Sequence, residues 1–179
     1  MSEPIAICRY PDIAQTPELA KEIDAIFFEA SNTKSFVSDD ARAAFRERWL
    51  GRYLTHDPAL AFLARTGDGT VVGYIVGSVD DPAKAARFSD IGYFADLAEQ
   101  TERFPAHLHV NISPGFRNQG IGGRLIDRFV AAAKTARAPG VHVVTSVGAE
   151  NVGFYNRNGF SEVARAGKDG RLVFLARTL

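Results

Sequence analysis

Arg117-Asn118-Gln119-Gly120-Ile121-Gly122-Gly123 sets an arginine and three glycines in one short run, between an apolar segment and the start of an amphipathic one. At the junction of a strand and a helix the first helical amides have no partner within the helix, and that end carries partial positive charge. Glycines let an anion approach those amides without meeting a Cβ, so the chemistry suggested is diphosphate binding. A dinucleotide fingerprint needs a third glycine where Leu125 stands, and a P-loop needs a Gly-Lys pair that does not occur. The pattern Arg/Gln-x-x-Gly-x-Gly/Ala is met by Arg117, Gly120 and Gly122. The alternative reading of the motif alone is an ordinary glycine-rich turn.

The flanking segments supply the elements that must hold this loop. AHLHVNI (106–112) alternates as a strand, and Ile121, Leu125, Ile126, Phe129, Val130 and Ala133 recur on one face of a helix expected to stop at Pro139-Gly140. VHVVTSV (141–147) is the next strand, so residues 106–147 form a βαβ unit with parallel strands. Upstream, residues 4–9 read as a strand, Leu19, Ile23, Ile26 and Phe27 as a helix face, and Ala41, Phe45, Trp49 and Tyr53 as a second helix reaching Pro58. LAFLAR and TVVGYIVGSV around Gly67-Asp68-Gly69 form a hairpin. Residues 80–105 lack a clean period and read as a lid or connector with a short helix near 93–100. A short helix over 151–158 and two closing strands complete an α/β order with a mixed sheet and helices on both faces.

The chain has 179 residues, 46% hydrophobic and 23% charged, which suits one folded domain over 1–179. Twenty-one basic residues balance twenty-one acidic ones, leaving no long-range field for a nucleic acid. Cys8 is the single cysteine, and the four histidines show no zinc spacing, so no metal is expected. Met1-Ser2-Glu3-Pro4 shows no basic, apolar leader pattern and no run is long enough to span a bilayer, giving the expectation of a cytoplasmic, membrane-free protein.

At the loop the sequence resembles the GNAT superfamily of acyl-CoA-dependent N-acyltransferases, through Ile112-Ser113-Pro114-Gly115-Phe116-Arg117-Asn118-Gln119-Gly120-Ile121-Gly122. A second family motif is matched by Asn151, Tyr155, Gly159 and Phe160, and "FPAHLHVNISP" is similar to a subgroup that includes the acetyltransferase-like domain attached to animal O-GlcNAcase. The resemblance implies a GNAT-like, mostly antiparallel sheet with a splayed parallel pair, and acetyl-CoA as acyl donor to a primary amine, in a monomer or homodimer. It places pyrophosphate on the amides of Arg117, Asn118, Gln119, Gly120, Gly122 and Gly123, and pantetheine along Val110, Asn111 and Ile112, with Asn151 and Tyr155 also at the cofactor. A bulge near Asn111 is expected where the strand pairing breaks. Tyr155 stands at the family's general-acid position, although a tyrosine on a short helix is commonly a packing residue.

The amine must lose a proton, since near pH 7 only about one in a few thousand lysine-like amines is neutral. His107, His109 and Asn111 share one face of their strand, which is expected to border the substrate cleft. His109 could serve as base directly or through water, or could be satisfied by hydrogen bonds within the sheet. Many relatives carry a carboxylate on this strand; here Asn111 stands there. Arg42, Arg46, Arg48 and Arg52 read as a solvated helix face that could otherwise recognise an acidic substrate. The resemblance implies that the first two helices and their connection line the acceptor site, so that residues 29–40 contribute acceptor specificity. The competing functional reading is a module that binds acetyl-CoA without transferring the acyl group.

Overall fold

The computed structural model describes residues 4–179, so the reading of the first three residues lies outside the described part. The elements are β1 (Ala6–Arg9), α1 (Pro17–Ala30), α2 (Asp39–Arg46), α3 (Arg52–His56), β2 (Phe62–Arg65), β3 (Val71–Ser78), α4 (Ala98–Arg103), β4 (Ala106–Ile112), α5 (Ile121–Thr135), β5 (Gly140–Ser146), α6 (Asn151–Arg157), β6 (Ser161–Ala166) and β7 (Leu172–Thr178). The strands form a seven-stranded mixed sheet in the order β1-β2-β3-β4-β5-β7-β6, with helices on both faces and β4–β5 as the parallel pair. Among the described residues no helix is long and apolar enough to cross a membrane.

Two compact units divide the chain: residues up to Gly77 with His109–Phe129, and Ser78–Leu108 with Val130–Leu179. In the first unit α1 starts at Thr16, whose hydroxyl accepts the Leu19 amide at 3.1 Å, and its expected face of Leu19, Ile23, Ile26 and Phe27 is buried. The β2–β3 hairpin pairs Phe62 with Ile75 and Leu63 with Tyr74, and Gly69 at φ +94° closes its turn.

One helix was expected from Asp39-Asp40 up to Pro58, with Ala41, Phe45, Trp49 and Tyr53 on one face; α2 and α3 are instead joined by a π-helical turn, Glu47–Gly51. Apolar positions four residues apart drift by about 40° per step on a helix of 3.6 residues per turn, so Tyr53 would end about 120° round from Ala41. One widened turn recovers most of that drift and lets Tyr53 reach 1% exposure.

Of the two readings of residues 80–105, lid or connector, the second unit contains the connector. Phe88, Phe94 and Leu97 are almost fully buried, and the segment is a packed connector of 3-10 turns leading into α4. His142 stacks on Phe174 at 4.4 Å, and Leu97, Phe104 and Ala176 close the same core.

Helices α5 and α6 end in the same Schellman arrangement with different residues at its left-handed position. In α6 the Gly159 amide donates to Asn156 O and the Phe160 amide to Tyr155 O, both at 3.1 Å, with Gly159 at φ +84°. In α5 the Arg137 amide donates to Lys134 O and the Ala138 amide to Ala133 O, with Arg137 at φ +62°. The stop of α5 therefore precedes Pro139-Gly140. A side chain in the left-handed region costs about 1–2 kcal/mol. Gly159→Ala should lower the unfolding free energy by about 1 kcal/mol or more, and Arg137→Gly should raise it by up to about 1 kcal/mol, since only the second relieves strain. Urea denaturation of both variants checks the sign; equal signs would refute the assignment of these stops.

Candidate active site

The registered pairing of β4 with β5 consists of Ala106 with Val141 and His107 with His142. At the far end of β4 the Ser113 amide donates to Val72 O at 2.9 Å, so the strand end is held against β3. Gly73 leaves the room required there: a Cβ on it would lie 2.5 Å from Ile112 Cδ1 and 3.1 Å from Asn111 O.

After β4 the chain makes a single turn at Pro114–Phe116 and enters the glycine loop. Asn118 at φ +60° and Gly120 at φ +75° flank Gln119, an alternation of backbone handedness that turns successive amides toward one side. Asparagine is among the few side-chain residues that adopt this region readily. A Cβ on Gly120 would meet nothing within 4 Å, so no protein atom fills the space in front of it. The first α-helical bond of α5 runs from the Arg124 amide to Gly120 O at 3.2 Å, and the first turn of the helix carries no acidic residue. In contrast, α1 has Glu18 and α2 has Asp39 and Asp40 in that place. The start of α5 is thus left without an internal counter-charge. Arg117 turns back, its Nε donating to Ile112 O at 3.1 Å, and Gln119 Nε2 donates to Gly115 O at 3.2 Å.

The three polar residues of β4 have different fates. His107 does not border an open cleft: it is 3% exposed, with its ring against Phe88 and Phe94. His107 Nδ1 faces Pro105 O and His142 Nδ1 faces Phe104 O; a carbonyl only accepts, so both rings carry the proton on Nδ1. Asn111 donates through Nδ2 to the Tyr74 hydroxyl at 2.8 Å, and burial raises the Tyr74 pKa. His109 lies partly buried between Trp49 and Tyr53, with Nε2 3.2 Å from the Tyr53 hydroxyl. Desolvation first, and the nearby Arg52 charge second, push its pKa down to about 4.

The second unit carries the other expected residues. Asn151 opens α6 and accepts the Thr145 hydroxyl through Oδ1 at 3.0 Å. Tyr155 is 6% exposed, its ring edge-on to Phe154 and Phe160, and burial raises its phenol pKa. The spacing Tyr155…Gly159-Phe160 is that of the Schellman stop, in which the residue before the last turn packs on the one after the glycine. The motif therefore fixes where the tyrosine stands.

The arginine face of the second helix is less solvated than expected. Arg46 Nε bonds both oxygens of Asp24, at 2.7 and 2.8 Å, and Arg42 lies over the Phe28 ring at 3.6 Å. Tyr74 and Tyr53, the partners of Asn111 and His109, were absent from the sequence reading of the site. The antiparallel register, with Val72 opposite Ser113, contains the signal for Tyr74, but only once that pairing is known.

A mixed sheet with one parallel pair, helices on both faces and a glycine loop at the start of α5 define an α/β protein. Residues 19–160 match the Acetyltransferase (GNAT) family, and the chain belongs to it. Among solved structures, it is similar to a protein of Pyrococcus horikoshii OT3 at TM-score 0.73 and 16% identity, over 98% of this chain and 99% of that one. A GCN5-related N-acetyltransferase from Kribbella flavida gives TM-score 0.64 and 15% identity, covering 98% of each chain. A chain of the NatC complex bound to Gag peptide and CoA gives 0.66 and 14%, also covering 98% of each. At these identities the likeness is one of fold.

His109 has a folded pKa below its unfolded value of about 6.5, so the unfolded chain binds its proton first as pH falls. Its contribution to stability is complete above about pH 6.5 and is lost progressively toward pH 4. His109→Gln should flatten the fall in unfolding free energy across that window, by an amount on the order of a few kcal/mol. Urea melts at pH 7, 5.5 and 4 measure it; an unchanged slope would return His109 to an ordinary pKa.

Proposed function

We propose that the chain is an N-acetyltransferase acting as one catalytic domain, with acetyl-CoA as donor and a primary amine as acceptor. The single observation that carries the reading is the glycine loop: Gly120 at φ +75° has open space where a Cβ would stand, at the start of a helix with no acidic first turn. The residues fit a diphosphate-bearing acyl donor. The amides of Asn118–Gly123 hold its phosphates, and the main chain of β4 over Val110, Asn111 and Ile112 takes the pantetheine amides as an added strand would. The CoA in the NatC structure supports the choice of donor. The "FPAHLHVNISP" stretch makes kinship with the O-GlcNAcase-attached subgroup part of this reading. The location proposed is the cytoplasm.

The thioester supplies an activated acyl carbon and a thiolate leaving group. Tyr155 donates to that sulfur. A thiol has a pKa of about 8.5 and a phenol about 10, and burial raises Tyr155 further, so complete proton transfer is uphill by about 2 kcal/mol or more. Tyr155 therefore works chiefly as a hydrogen-bond donor as charge grows on sulfur. His109, with a pKa near 4, stands about six units below a lysine-like ammonium, making direct proton abstraction uphill by about 9 kcal/mol. Its place is that of a neutral polar group that orients a neutral amine or a water, with Tyr53 behind it.

A second reading has its own observation. Asn111 is committed to Tyr74 and His109 is held neutral, so β4 offers no strong base, which favours a module that binds acetyl-CoA and transfers slowly or not at all.

Tyr155→Phe should lower kcat about 10- to 100-fold, the low end of general-acid effects, with acetyl-CoA affinity nearly unchanged. Thiol release under single-turnover conditions checks it, and an unchanged rate removes Tyr155 as the donor. Gly122→Arg should abolish acetyl-CoA binding by calorimetry while the thermal melt stays cooperative; normal binding by that variant would exclude the loop as the phosphate site.

A further inference from the structure

Within the first unit, the end of α1, the connector after it and the start of α2 border an open cavity of about 530 Å³ lined by Phe28, Thr33, Lys34, Phe36, Ser38, Asp39 and Arg42. That volume lies in the range of small-molecule sites. Arg42 lies over the Phe28 ring, its Cζ 3.6 Å from the centroid, and no carboxylate pairs with it among the described residues. The ring contact places the guanidinium and leaves its N–H fork, which suits a carboxylate, for another partner. Lys34 is also fixed: its Nζ donates to Glu29 O at 2.7 Å and to Phe28 O at 3.4 Å, at the carbonyl end of α1. An ammonium has three donors, so one remains for a ligand.

The rest of the lining limits what that ligand can be. Phe36 meets Phe28 edge-on at 5.9 Å and gives an apolar wall, and Val37, next to it in the chain, is 99% exposed. Asp39, in the first turn of α2, is the only acidic lining residue, so Lys34, Arg42 and Asp39 together carry one net positive charge. One net charge matches a carboxylate better than a doubly charged phosphate.

We propose that this cavity selects an acceptor amine that also carries a carboxylate, an amino-acid-like small molecule whose carboxylate is clamped by Arg42 and Lys34. The assignment of the ligand as acceptor rests on the acetyltransferase reading; the carboxylate preference of the cavity does not. Tyrosine and tyramine, tryptophan and tryptamine, and lysine and cadaverine are pairs that differ by the carboxylate alone. Calorimetric titration of the protein with each should show at least one pair in which the amino acid binds tenfold or more tightly than the amine, and Arg42→Gln should reduce that preference to about twofold or less. Equal binding within every pair, absence of binding by all six, or a preference that survives Arg42→Gln overturns the proposal. Titration with acetyl-CoA runs alongside. Acetyl-CoA binding without carboxylate preference sinks the inference and spares the transferase; carboxylate preference without acetyl-CoA binding sinks the transferase and spares the cavity.

Discussion

The anchoring of β4 at its two ends is the constraint on which the rest depends. A strand's main-chain and buried polar groups must find partners, and each end of β4 finds a different kind. At its start, His107 and His142 lie buried, with His142 bonded to Phe104 O and stacked on Phe174. At its end, Asn111 is tied to Tyr74 and Ser113 to Val72, both on β3. The polar residues of β4 are therefore largely the means by which the strand is pinned.

The second constraint is backbone handedness. Asn118 and Gly120 make the loop, and Gly159 makes the stop that sets Tyr155 against Phe160. These positions turn a pattern of residue types into coordinates, because a left-handed residue at a helix terminus fixes the next two amides. Arg137 shows that the geometry does not require glycine. The fold accepts strain there, which makes the use of glycine at 159 a matter of stability as well as shape.

Period and turn chemistry were legible in the sequence because they are local. The buried face of α1 was readable residue by residue, as were the hairpin around Gly69, the limits of β4 and the glycine loop. Pairings distant along the chain were not. The alternation of β4 gave His107 and His109 equal standing, yet Phe88 and Phe94 bury the first while Trp49 and Tyr53 flank the second. Likewise, Arg46 reads as a solvated charge until Asp24, 22 residues earlier, is seen beside it. The π-helical turn was hidden in a spacing of four that was taken as helical, although four exceeds the 3.6 of an α-helix. Acceptor specificity in residues 29–40 was expected from the resemblance, but its chemistry needed the placement of Arg42 over Phe28.

A chain with no net charge has no long-range field, so any anion it binds is recognised at short range. The two proposed sites, the loop and the cavity, would meet that demand in different ways. At the start of α5 the positive charge is partial and spread over backbone amides, which suits a diphosphate whose own charge is spread over several oxygens. In the cavity it is concentrated on a guanidinium placed over an aromatic ring, whose N–H fork suits the two coplanar oxygens of a carboxylate. Neither arrangement relies on a field that extends beyond a Debye length, about 8 Å at physiological salt. Geometry at close contact, rather than electrostatic steering from a distance, then has to separate one anion from another, and fixed backbone angles and positioned side chains provide it.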